Sequence, residues 1–279
     1  MKKIFQIIGL ISLTCFSFFI TEKTALVVNE MDEIMMEIKS KKEEYKTKYI
    51  DATIEGNTII PGVNGRKVNI NKSYKNMRLN GYFNENLFVY DYTKPKISLN
   101  DNIDKYIIKG NPNKRMISLI FILTGDDNID SILSTLNNYK ATVTFFVDYT
   151  WFENNTEKIK DLISEGHIIS PFMDDYTDSN FEWMDMILKK VNKQKYVFCY
   201  NKVDNVDNLN ICKLKGNYTI RPIIISENTP LVDIKSKIES GSLFLVKYNS
   251  ELKKELSSII IYIKSKGYKL TNLEEHILE

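Results

Sequence analysis

Few residues in this 279-residue chain have side chains suited to catalysis or metal binding. There are two histidines, His167 and His276, three cysteines, Cys15, Cys199 and Cys212, and two Asp-Asp pairs, Asp126-Asp127 and Asp174-Asp175. With so few histidines, no Ser-His or Cys-His catalytic arrangement is indicated. No C-x-x-C or Cys/His cluster is present, which argues against a structural zinc site. The aspartates have more to offer. A carboxylate can take a proton from water, and four oxygen donors suit a hard cation such as Ca²⁺ or Mg²⁺. Asp pairs in loops are also frequent turn-formers and helix caps, and Asp126-Asp127 stand just before a helical pattern. Cys199 and Cys212 can bridge if the chain is exported, and are otherwise two buried thiols. His276 falls in a terminal helix and is expected to be exposed.

From Met116 onward, strand and helix patterns alternate. Met116 to Leu123 is a continuous apolar run of the kind buried on both faces of a parallel sheet. Amphipathic spacing marks Ile129–Leu136, Asn154–Ser164, Asn180–Val191, Leu231–Ile238 and Leu252–Ser265 as helices. Strands are expected at Thr142–Val147, His167–Ser170, Tyr196–Tyr200, Tyr218–Ile225, Ser242–Tyr248 and Lys269–Leu270, with a last helix from Asn272. Repeated β-α units mean parallel strands, and about seven close most economically into a barrel. Asp126, Asp127, Asp174 and Asp175 then fall at the C-terminal ends of strands, where barrels place their sites.

The N-terminal part reads differently. Lys2 and Lys3 precede an apolar run from Ile4 to Ile20, the pattern of a secretory signal or anchor. As a helix this run would span about 26 Å, slightly short of a ~30 Å hydrocarbon core. Cleavage near Ala25 and retention as an anchor both stay open, and both place the remainder outside the cell. Residues 26–49 have helical spacing, with Asn29 as a cap, and read either as a stalk or as a helix packed on its own domain. Residues 50–113 are rich in turn signals and short strand-like runs (Thr58–Ile60, Lys67–Ile70, Leu87–Tyr92, Tyr106–Lys109), with a short helix over Ser73–Asn80. That gives segments 1–25, 26–49, 50–113 and 114–279. The near-balance of 38 basic and 36 acidic side chains, net +2, gives no reason to expect nucleic acid.

The order of motifs in 114–279 resembles the polysaccharide deacetylase (NodB homology) family. Ile117-Ser118-Leu119-Ile120-Phe121 resembles the strand leading into T-F-D-D-G. Lys140 to Val147 resembles K-A-T-F-F-V, and Glu165-Gly166-His167-Ile168-Ile169 resembles E-G-H-E-I-G. Gly241 to Val246 resembles G-S-I-I-L-L, and Lys266 to Leu273 resembles the closing K-G-Y-x-F-V-T-L. The resemblance implies a distorted (β/α) barrel and metal-dependent removal of acetyl groups from glycans, with an Asp and two His holding the metal and a neighbouring Asp as base. Here the two acidic positions fall on Ile122 and Leu123, the two histidine positions on Phe172 and Tyr176, and the late general-acid histidine on Lys247. No metal or other cofactor is therefore expected. A second alignment sets Thr124-Gly125-Asp126-Asp127-Asn128 against T-F-D-D-G. It restores both acids, leaves 17 residues before Phe145, fewer than the family spacing, and still supplies no histidines. On that alternative Asp126 and Asp127 would be catalytic, and Asp127, Asp174 and Asp175 would hold a divalent metal.

Aromatic residues near the expected barrel mouth, Tyr149, Trp151, Phe172, Tyr176, Tyr200 and Tyr248, either stack on sugar rings or fill the space of a lost metal site. The reading that follows is an exported or membrane-anchored, non-catalytic deacetylase-like protein that binds cell-wall glycan or an envelope protein, held to the membrane by its N-terminal helix. An active deacetylase using Asp126/Asp127, or a structural envelope scaffold, are the alternatives.

Overall fold

A computed structural model describes residues 11–18 and 32–279. The cleavage region around Ala25, Asn29 and most of the apolar run Ile4–Ile20 lie outside the described residues. Within that run, residues 11–18 are helical. Among the described residues, no helix is long and apolar enough to cross a membrane. In chain order the strands are β1 (Thr53–Glu55), β2 (Thr58–Ile60), β3 (Gly65–Val68), β4 (Tyr90–Thr93), β5 (Tyr106–Ile107), β6 (Met116–Leu123), β7 (Thr144–Val147), β8 (Ile168–Pro171), β9 (Phe198–Tyr200), β10 (Tyr218–Ile220), β11 (Ile223–Ile224), β12 (Leu243–Lys247) and β13 (Lys269–Leu270). The chain forms two compact units. The smaller takes the described residues up to Tyr49 together with Asn64–Thr93, the larger Ile50–Val63 and Lys94–Glu279. The stretch 50–113, expected as one module, is thus divided between them.

In the larger unit β6 is central. It pairs in parallel with β7 and with β12, and at its start with β13. The ladder runs β11-β12-β6-β7-β8, and a second ladder runs β1-β2-β5-β10-β9. The seven strands expected from Met116 onward are found as β6 to β13, with Tyr218–Ile225 divided into β10 and β11, but β8 does not pair with β9, nor β10 with β11. These two breaks are the distortion of the barrel. At the first break side chains replace the ladder. Gln194 accepts from Ile169 N and donates to Ile169 O, at 2.9 and 2.7 Å, and Ser170 Oγ accepts from Phe198 N at 3.0 Å. Buried backbone groups on an open edge must find such partners.

Alternation along β6 sorts its side chains. Leu119, Phe121 and Leu123 pack into the layer shared with the helices, and Ile120 and Ile122 into the barrel interior with Phe146, Tyr200 and Leu245. Strands β1, β2 and β5, which read as part of a separate module, extend the interior sheet through β5–β10 pairing. A helix at Val206–Leu214, absent from the sequence expectations, follows β9; Asn205 caps it by accepting from Asn208 N. Its Cys212 forms a disulfide with Cys199 of β9 across 13 residues.

The smaller unit joins the helix Glu33–Lys41, the β3-β4 hairpin and the helix Ile70–Asn80 around Met35, Ile38, Val68, Tyr74, Met77 and Phe88. Its first helix is capped by Asp32 and ends at Lys41 rather than running to Tyr49. Tyr45 instead packs edge-on against Phe88, with ring centroids 5.0 Å apart, and donates its hydroxyl to Glu85. Of the two readings of this segment, the helix packed on its own unit is the one observed. The second helix begins at Ile70, ahead of the expected Ser73, with Asn69 as its cap, so Ser73 lies buried within it.

Candidate functional site

The positions that would hold a metal sit at the C-terminal ends of β6 and β8. Ile122 lies opposite Phe146 on one side and Lys247 on the other. Phe172, directly after β8, stacks on Tyr200 at 6.0 Å between ring centroids, and Phe146 meets Tyr200 edge-on at 6.3 Å. Tyr176 is buried; its hydroxyl donates to Tyr200 O at 3.2 Å and accepts from Tyr200 N at 2.8 Å. Burial holds the Tyr176 phenol above its ordinary pKa, so it stays protonated. Leu123 is buried in the outer layer, turned away from the interior. Lys247 is exposed, 3.8 Å from the equally exposed Glu227, a pair worth little in water. This set offers aliphatic, aromatic and phenolic groups in place of two carboxylates and two imidazoles. It does not fit a divalent metal, which needs imidazole, thiolate or carboxylate donors.

The aspartates do not substitute. Asp127 Oδ2 accepts from Thr124 N at 2.8 Å, closing a turn, and its carbonyl accepts from Trp151 Nε1 at 2.8 Å. Asp126 is exposed at the tip of the same turn. Asp175 accepts from Thr177 N and Oγ1, which holds its carboxyl below the usual range. Asp174 is exposed, and its carbonyl accepts from Asn208 Nδ2. Among the described residues no three His, Cys, Asp or Glu side chains are grouped to hold a metal ion. Asp127 and Asp175 each serve their own local turn, the turn-forming role that aspartate pairs in loops often have.

The aromatic candidates separate by burial. Trp151 is fully buried and Tyr248 nearly so, so neither has a free face for a sugar. Trp151 instead fastens the helix Tyr149–Asn154 to the Asp127 turn. Asp148 completes that joint by accepting from Trp151 N at 2.8 Å and from Gly125 N at 3.0 Å. Asp148 was not singled out from sequence, although an Asp immediately before a helix is a readable cap signal. Gln194 had no such signal, because its partner Ile169 lies 25 residues away. Tyr149 and Phe172 keep partial exposure. Tyr149 donates to Glu153 and lies 5.7 Å from the Trp183 ring.

Both histidines are structural. His167 Nδ1 accepts from Val143 N at 3.1 Å, and burial lowers its pKa to about 4. His276, expected to be exposed, is completely buried against Gly110. Its Nδ1 lies 2.8 Å from Ser118 Oγ, while that hydroxyl donates to Thr271 O. Burial, reinforced by Lys114, lowers the His276 pKa to about 3. The apolar face of this five-residue helix is too short to show in sequence spacing.

Comparison with known proteins adds context. A polysaccharide deacetylase family model matches residues 109–198. The uncharacterised protein YlxY of Bacillus subtilis is 30% identical over 275 residues, spanning 90% of this chain and 86% of that one. Wild-type BA3943 of Bacillus anthracis, a CE4 family pseudoenzyme, superposes with a TM-score of 0.65 at 21% identity, over 88% of this chain and 98% of that one. Bacillus subtilis PdaA, a family 4 carbohydrate esterase, superposes with a TM-score of 0.56 at 19% identity, over 67% and 90% of the two chains.

Proposed function

From the premise that the chain belongs to the polysaccharide deacetylase family, as a member degenerate at its metal positions, we propose that it is a non-catalytic extracytoplasmic protein that binds cell-wall glycan. The observation that carries the non-catalytic part is the Ile122–Phe172–Tyr200–Tyr176 packing, made by the residues that the resemblance aligns with metal ligands. Without a metal nothing in the site lowers the pKa of a water, the step on which amide hydrolysis in this family depends. Two features support placement outside the cytoplasm: the Lys2-Lys3 and apolar N-terminal pattern, and the Cys199–Cys212 disulfide, a bond that persists in oxidising compartments. The N-terminal segment serves as signal or membrane anchor. Glycan binding rests on the deacetylase-type barrel and on the partly exposed rings of Phe172 and Tyr149 at its mouth, which can stack on sugars.

The test combines two measurements on purified protein. Acetate release from N-acetylated glycan oligomers is expected to stay at the blank level with added Zn²⁺, and metal analysis is expected to find less than stoichiometric metal. Turnover that disappears in Asp127→Asn would overturn the non-catalytic reading. Binding of peptidoglycan or chitin oligomers is expected to weaken in Phe172→Ala. Absence of any glycan binding, with one envelope protein recovered by crosslinking, would replace the glycan by a protein partner.

A further inference from the structure

The charge of the chain is unevenly placed. The described part of the smaller unit carries ten basic and seven acidic side chains, the larger unit 25 and 27. Within the smaller unit lies a cavity of about 700 Å³ bordered by Lys39, Lys42, Lys46 and Lys67, with Glu43 and Asp91 as its acidic members. Both carboxylates are already engaged. Glu43 accepts from Lys46 at 3.2 Å, and Asp91 accepts twice from Asn69 Nδ2, at 2.9 and 3.1 Å. Lys42 and Lys67 have no carboxylate within ion-pair distance among the described residues. Below them Met35 and Val68 are buried in the unit's core, so packing, not a loop, shapes the cavity floor.

Lys42 and Lys67, both unpaired at a concave, partly apolar space, repel one another, and a low-dielectric wall concentrates their field. The core of the unit gains nothing from that arrangement, whereas an entering anion removes the repulsion. No arginine borders the cavity, so it does not present the planar fork that pairs with carboxylates; separate ammonium point charges suit the tetrahedral charge of phosphate. The volume lies within the ~300–1,000 Å³ typical of small-ligand sites, and exceeds what a single phosphate fills.

The geometry points to a binding site for phosphate esters in this cavity, with Lys42 and Lys67 as the principal charge-bearing contacts and Lys39 and Lys46 flanking them. The chemistry is common to a phosphomonoester metabolite and to a polyol-phosphodiester chain. The site belongs to the smaller unit, so it stands or falls apart from the glycan reading of the barrel.

The test is calorimetric titration of the full chain at low salt with three probes: inorganic phosphate, glycerol 3-phosphate and a glycerol-phosphate oligomer. Binding of at least one probe is expected, weakening as salt rises. A preference for glycerol 3-phosphate marks the monoester source, and a preference for the oligomer marks the diester chain. In Lys42→Glu/Lys67→Glu affinity is expected to fall at least tenfold, and in Lys42→Ala/Lys67→Ala by an intermediate factor, with unchanged circular dichroism and unfolding midpoint. Lys190→Glu/Lys202→Glu in the larger unit is expected to bind as the parent does. If no probe binds, or if the Lys42/Lys67 charge reversal binds as tightly as the parent, the proposal is wrong.

Discussion

Tyr176 is the residue that the motif resemblance aligns with a metal-binding histidine, and its hydroxyl serves both backbone groups of Tyr200. Removing that oxygen leaves a buried N–H and a buried carbonyl without this partner. Tyr176→Phe is therefore expected to cost about 1–3 kcal/mol in urea unfolding, although the ring keeps its packing. An unfolding midpoint equal to the parent's would show that the hydroxyl contributes nothing. The two histidines make a second prediction at this scale. Both are held neutral in the fold, with pKa values lowered to about 4 for His167 and about 3 for His276, against an ordinary value near 6.5. The unfolded chain therefore binds protons first as pH falls. Their contribution to stability is complete above about pH 6.5 and is lost towards pH 3, with a slope of up to ~1.4 kcal/mol per pH unit for each histidine. His276→Gln should flatten the acid limb of a stability–pH curve; an unaltered limb would mean that His276 does not govern it.

At the scale of elements, the break between β8 and β9 is held by side chains rather than by a ladder. Gln194→Ala strips partners from Ile169 N and O and from Tyr196 O. Faster amide hydrogen exchange confined to the β8 edge is expected, and protection equal to the parent's would contradict this account. The disulfide ties β9 to the helix Val206–Leu214. A loop of this length predicts a loss of about 3 kcal/mol on reduction, readable as a lower melting temperature in dithiothreitol. Gly110 marks a third junction. A Cβ there would overlap the His276 ring, so Gly110→Ala is expected to destabilise by ~1–3 kcal/mol through overpacking, and to express poorly relative to the parent.

For the whole molecule, the question is whether the framework of a deacetylase survives without its chemistry. The central ladder, the Gly166–His167 turn and the closing Lys269–Leu270 strand are all in place. Ile122→Asp with Leu123→Asp, Phe172→His and Tyr176→His would return the one Asp and two His ligands and the neighbouring base that the resemblance implies. Leu123 faces the helical layer, where a carboxylate is costly to bury. The fourfold variant is thus expected to gain affinity for Zn²⁺ while unfolding at a clearly lower urea concentration than the parent. Unaltered stability together with metal binding would show that the packing of the site carries little energy.

Much of this was legible in sequence, because it rests on local pattern. The continuous apolar run of β6, the alternation of strands and helices, and the Glu165-Gly166-His167 motif are written in neighbouring residues. So were the residue types at the aligned positions: Ile122 and Phe172 carry no side-chain donor atom, and Tyr176 offers only a phenol. Other features arise between residues far apart in the chain, and only the tertiary structure decided them. Burial of His276 depends on Gly110 and Ser118, the closure of β8 on Gln194, and the pairing of Cys199 on a helix with little amphipathic signal. The same holds for Asp126, Asp127, Asp174 and Asp175: residue type permitted a cation site, but a site requires convergence. The fold spends Asp127 and Asp175 on separate turns and leaves the other two carboxylates at exposed positions.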